Sequence, residues 1–219
     1  MKNTLICKIV TLAVGVLLFA TSAMAGGSDA FNRKHLGTKW VVTAGGLSIL
    51  NHHLVGTADL SLGYFTGSSK DTAATAVVEL GGTDVEYGAV ALGNIGGGSN
   101  AFVKIQEQDA DGMFEYGAFY TGNNSGSEFF ALSSPVPSPA ILDVFFCGTT
   151  ATMRITSAAG VQTYTYNYGT TYGAGGGLGT YGSVGLDNYI GFASGCGDAL
   201  VNAVPASTMP RATDLSLVK

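Results

Sequence analysis

Charge is scarce in this chain of 219 residues. Ten Lys and Arg against fifteen Asp and Glu, 11% of the sequence together, leave a formal charge of −5. That balance excludes nucleic acid as a partner, because binding it rests on Lys and Arg neutralising phosphates. Long apolar runs are also missing. Ile9 to Phe19 falls short of the roughly 18 to 20 residues a membrane helix needs, and nothing later approaches that length. Preceded by Lys2 and Lys8 and followed by Ala23, Met24 and Ala25, this short run reads as a secretory signal over residues 1–25. Export to an extracellular or periplasmic space is expected, with no transmembrane segment in the mature chain. Cysteine is limited to three residues, and Cys7 leaves with the signal. The remaining pair, Cys147 and Cys196, is expected to form a disulfide in an oxidising compartment. Closing a loop of about 50 residues would stabilise the fold by roughly 4 kcal/mol. Helical periodicity is nearly absent.

What fills the chain instead is glycine, tyrosine and small polar residues arranged with period two, which argues for strands joined by tight turns. Leu60, Leu62 and Tyr64 share one strand face, and Ala76 to Leu80 and Val85 to Leu92 repeat the pattern. Phe102 to Glu107 turns through Gln108 to Gly112 into Met113 to Tyr120, which reads as a hairpin. Ile141 to Cys147 is apolar on both faces except at Asp143, so it belongs in the middle of a sheet. Thr149 to Thr156 and Val161 to Tyr168 form a second hairpin. A glycine-rich loop is expected from Gly173 to Gly179, and Gly185 to Ala193 closes the domain. The period is lost after Cys196, so residues 26–197 read as one β-sandwich domain and 198–219 as a flexible tail. The same alternation also fits an eight-stranded outer-membrane barrel, but the chain lacks a terminal aromatic and has the double-sided apolar strand.

The stretch Asp29 to Leu54, with Phe31, Asn32, Arg33, Leu36, Gly37 and Trp40 ahead of Val42, Leu47 and Ile49, resembles the opening of bacterial laminin-G-like, concanavalin A-like jelly rolls. The hairpin from Ala101 to Asn124 and the closing run Leu186 to Ile190 look like later parts of the same fold. The resemblance implies an all-β, antiparallel two-sheet jelly-roll sandwich whose first and last strands are neighbours, with Phe31 and Trp40 on strands near the last. It also implies an extracellular lectin-like or adhesion module, a glycoside hydrolase or lyase, or a structural surface component, bound to glycan or another surface polymer.

Candidate sites follow from residue chemistry. Glu107, Asp109 and Asp111 superficially resemble the alternating carboxylates of jelly-roll glucanases, which need an acid and a nucleophile on one strand face. Gly112 directly after them favours a turn. No cofactor is otherwise expected, but Asp109 and Asp111 also suit calcium, as do Asp29 and Asp187, because related sandwiches hold a structural ion near the first and last strands. Tyr164, Tyr166 and Tyr168 put three rings on one face; with Tyr172 and the turn at Asn123 and Asn124 they form a surface for stacking sugars, or they pack in the core. His52 and His53 read as a hairpin turn rather than a metal pair. No Ser lies in a nucleophile-elbow pattern, so non-catalytic binding is the leading reading.

Overall fold

The fold was obtained as a computed structural model, which describes residues 26–68, 70–82, 85–93, 101–121, 128–173, 175–182 and 184–193, the side chains at 187–189, 191 and 193 excepted. The expected leader, the tail 198–219, Asn123, Asn124, Cys196 and the Asp187 side chain lie outside the described residues. The strands in chain order are β1 (Ser28–Asp29), β2 (Trp40–Ala44), β3 (Leu47–Leu50), β4 (His53–Gly56) and β5 (Leu60–Phe65). Next come β6 (Ala73–Glu79), β7 (Tyr87–Leu92), β8 (Ala101–Gln106), β9 (Met113–Thr121) and β10 (Glu128–Pro137). The last five are β11 (Ala140–Cys147), β12 (Thr150–Ser157), β13 (Gly160–Asn167), β14 (Gly176–Tyr181) and β15 (Gly185–Ala193).

Two antiparallel sheets form a jelly-roll sandwich. One runs β13-β12-β11-β6-β15-β4-β3 with β1 beside β15; the other runs β10-β9-β8-β7-β14-β5-β2. Among the described residues β13, β3, β10 and β2 each pair with a strand on one side only, so the alternation serves an open sandwich and not a closed barrel. No helix among the described residues is long and apolar enough to cross a membrane.

Period two places Val103 and Ile105 of β8, Val90 and Leu92 of β7 and Leu178 of β14 inward, against Ala74, Ala76 and Val78 of β6 and Leu142, Val144 and Phe146 of β11. β11 lies between β12 and β6, as its double-sided apolar run requires. Its one charge is satisfied sideways: buried Asp143 accepts bonds from Thr75 on β6 and from the Arg154 guanidinium on β12. A buried carboxylate is tolerated when it is paired and hydrogen-bonded in this way.

The opening segment divides between the two sheets. β1 pairs with β15, but β2 joins the other sheet, and the chain crosses back at Gly45 to begin β3. Gly45 has φ +58°, and a Cβ there would lie 2.0 Å from the Leu60 carbonyl oxygen, so only glycine makes this crossing. Phe31 is not on a strand. It is fully buried in the loop after β1 with φ 52°, held by the Asp29 carboxylate, which accepts from its amide. Trp40 of β2 contacts Phe65 of β5, which stacks on Phe192 of β15, so these rings join β2 and β5 to the last strand through the core.

Two further differences come from packing. The expected glycine loop is in large part a strand, β14, in the middle of the seven-stranded sheet between β7 and β5. A Cβ at Gly176 would sit 1.7 Å from the Phe192 ring and one at Gly179 2.6 Å from the Leu62 side chain, so glycine here allows close approach, not turning. The second is β10, whose prolines hide it from a periodicity reading. It occupies a sheet edge with an irregular register between Ala131 and Val136, where Pro135 and Pro137 withhold no ladder bond the sheet needs.

Candidate ligand-binding cleft

The outer face of the seven-stranded sheet is built in three cross-strand rungs. Leu60, Tyr181, Tyr87, Gln106 and Tyr116 align in the first; Leu62, Gly179, Ala89, Lys104 and Ala118 in the second; Tyr64, Gly177, Ala91, Phe102 and Tyr120 in the third. Glycine and alanine at the centre leave a low floor, and larger side chains rise on both sides of it. The result is a cleft of about 240 Å³ lined by Leu60, Leu62, Tyr87, Ala89, Phe102, Lys104, Tyr120 and Thr121.

Rings frame this face. Tyr87 and Tyr181 stack at 5.4 Å between centroids, and Tyr116 and Phe129 stack at 5.0 Å. Phe129 is 52% exposed, Leu60 44% and Tyr181 37%, a partly uncovered apolar rim of the kind that marks a binding surface. Burial and the neighbouring Tyr120 and Tyr181 phenols push the Tyr87 hydroxyl up to about 12, so it stays a neutral donor and acceptor. Lys104 lies in the middle. Its Nζ is 4.4 Å from the Tyr87 ring centroid, 5.1 Å from that of Tyr120 and 5.9 Å from that of Phe129, and it donates to Gln106 Oε1 at 2.8 Å. Burial pulls its pKa below the usual lysine value. No carboxylate belongs to the described lining.

The tyrosine row of β13 lies elsewhere. Tyr164 contacts Phe130, Tyr166 stacks on Phe119, and Tyr168 meets Phe146 and Tyr172, all against the hydrophobic core. The Tyr168 hydroxyl donates to the carbonyls of Phe102 and Tyr120, crossing from one sheet to the other. Thr163, Thr165 and Asn167 are the outward side of this strand. These rings lock the sheets together, and the ring-bearing face open to solvent is the outer one carrying Tyr87 and Tyr181. No single stretch of sequence shows this face, because its rungs take residues from five strands and one of them, β14, has the composition of a loop.

The acidic residues gather at the β8–β9 turn. Glu107 is fully buried and accepts the Gly112 amide, while Asp109 and Asp111 stand exposed on the bend, so the three share no strand face. Ala110 with φ 57° and Gly112 with φ 83° make the turn. Sequence spacing missed Glu115: oxygens of Asp109, Asp111 and Glu115 lie within 4.8 Å of one another, hard donors of the type calcium accepts. Burial, opposed by the Gln108 amide and reinforced by Asp111 and Asp109, pushes Glu115 up to about 7.

The Asp29 carboxylate is taken up otherwise. It accepts two bonds from the Arg33 guanidinium, one from Trp40 Nε1 at 2.7 Å and one from the Phe31 amide. Burial resists its ionisation, but these donors outweigh it and hold the pKa below 3.8. Asn51 (φ 51°) and His52 (φ 70°) form the hairpin turn between β3 and β4, and His53 lies 3.4 Å from Glu79. Cys147 is exposed at the end of β11, and no disulfide joins it to another described residue.

No family model matches the chain, and no curated protein is similar to it in sequence. Solved structures are similar in fold. A carbohydrate-binding module from Bacillus subtilis superposes with a TM-score of 0.51 at 12% identity, over 71% of this chain and 96% of that one. The β-glucanase of Bacillus licheniformis gives 0.53 at 9% identity over 79% and 100%. Winged bean acidic lectin, solved with methyl-α-D-galactose, gives 0.53 at 8% identity over 77% and 98%. The fold they share with this chain is the concanavalin A-like jelly roll, which hosts both binding proteins and enzymes.

Proposed function

We propose that the chain is an exported, non-catalytic module that binds glycan in the cleft on its seven-stranded sheet. The observation that carries this reading is the lining: the rings of Tyr87, Phe102 and Tyr120 around a floor at Ala89, which pairs with Gly179, and no carboxylate among the described lining residues. Sugar rings stack on aromatic faces, and a few polar groups such as Gln106, Thr121 and the Tyr87 hydroxyl fix their orientation. Glycoside hydrolysis requires two carboxyl groups about 5 to 10 Å apart across the scissile bond. The lectin and the carbohydrate-binding module among the structural neighbours support the binding reading. The laminin-G-like opening at Asp29 to Leu54 fits the same use.

The runner-up is a glycoside hydrolase or lyase, favoured by the glucanase neighbour and by the carboxylates at the β8–β9 turn. A glycan array with calcium and with a chelator, followed by incubation with each bound polysaccharide, separates these readings. Retention of glycan without new reducing ends or unsaturated products is expected. Cleavage that Glu107→Gln or Asp111→Asn abolishes would establish the enzyme, and an array without any binding would leave the structural surface role. Export is read by N-terminal sequencing, expected to begin at Gly26. In the same exported protein, non-reducing peptide mapping reads the proposed Cys147–Cys196 bridge.

A further inference from the structure

We propose that the saccharide taken by the cleft is anionic, and that Lys104 is the residue that meets its charge. The inference rests on the glycan-binding reading and adds the class of ligand. Lys104 is the only cation of the described lining, and no carboxylate lies within ion-pair distance of it among the described residues. Its ammonium has three N–H donors, and a single hydrogen bond, to Gln106, is seen. The rings of Tyr87, Tyr120 and Phe129 hold it by cation–π attraction, which leaves its positive charge uncancelled.

A half-buried cation without a counter-ion costs desolvation, and a neutral sugar laid over it would deepen that cost. A carboxylate or sulfate ester on the sugar reverses the sign, because it meets free donors in a site of low dielectric. The contrast with the rest of the chain points the same way. Buried Asp143 and Asp29 are each paired with an arginine, Arg154 and Arg33. Lys104 is held in place by its rings and left open on the side of the cleft.

The test compares matched polymers. Polygalacturonate, alginate and hyaluronate are each titrated beside their methyl esters, which keep the sugar and remove the charge; dextran sulfate and polyglutamate complete the set. At least tenfold tighter binding of one acid form over its ester is expected, weakening steeply between 0.05 and 0.5 M salt. Lys104→Met should lose that preference and the salt dependence, and Lys104→Arg should keep both, each variant checked for an unchanged thermal transition. Dextran sulfate bound in place of the uronates assigns the anion as a sulfate ester. Esters bound as tightly as acids, or a preference surviving in Lys104→Met, would overturn the proposal and leave glycan binding intact. Polyglutamate bound as tightly as any saccharide, or no saccharide bound at all, would overturn both.

Discussion

Single carboxylates in this protein are set apart by what surrounds them. Asp29 faces four donors and stays ionised, so it contributes stability above its unfolded value of 3.8 that is lost as pH falls through its lower folded value. Asp29→Asn, by leaving the Arg33 charge without its partner, is expected to cost about 2 kcal/mol at neutral pH in urea unfolding. The gap from the native protein should narrow as pH falls below the unfolded value and through the lower folded one, where the native carboxylate takes up its proton. Glu115 carries the opposite sign. Its folded pKa stands above the unfolded 4.5, so the fold holds the proton more tightly and stability falls as pH rises from about 4.5 to about 7. Glu115→Gln keeps an acceptor for the Gln108 amide and removes the charge beside Asp111. Calorimetry should find this variant more heat-stable than the native chain at pH 8 and little different at pH 4.5.

Among the elements, β14 shows how a strand can be written in a composition that suggests a loop. Its backbone pairs with β5 and β7 along its length, and its glycines admit Phe192 on the inner face and Leu62 on the outer. Gly176→Ala should therefore destabilise by about 2 to 3 kcal/mol in urea, an overpacking cost, although alanine is the better strand residue on entropy alone. The β8–β9 hairpin, β11 and β15 were legible because each alternates or stays apolar over its full length. β10 was not, since prolines break the pattern and only its place at an edge makes them harmless.

At the scale of the whole molecule, the two sheets divide the work. Rings from β13 fill the space between them, while the far face of the second sheet gathers Tyr87, Tyr181, Tyr116 and Phe129 around a small-residue floor. Filling that floor should affect binding more than folding. Ala89→Leu is expected to weaken glycan binding at least tenfold by calorimetric titration, with an unchanged circular dichroism spectrum.

The sequence by itself determined the all-β class, the antiparallel hairpins, the central place of β11 and the turns at His52 and Gly112, because each depends on neighbours in the chain and on a period of two. Only the tertiary structure decided which ring row faces outward. Alternation puts Tyr164, Tyr166 and Tyr168 together on one side of a strand but leaves open whether that side meets solvent or the opposite sheet. The cleft was invisible for a related reason: Gly179, Ala89 and Lys104 are far apart in the chain and become neighbours only through cross-strand register, which hydrogen bonding between sequence-distant strands sets.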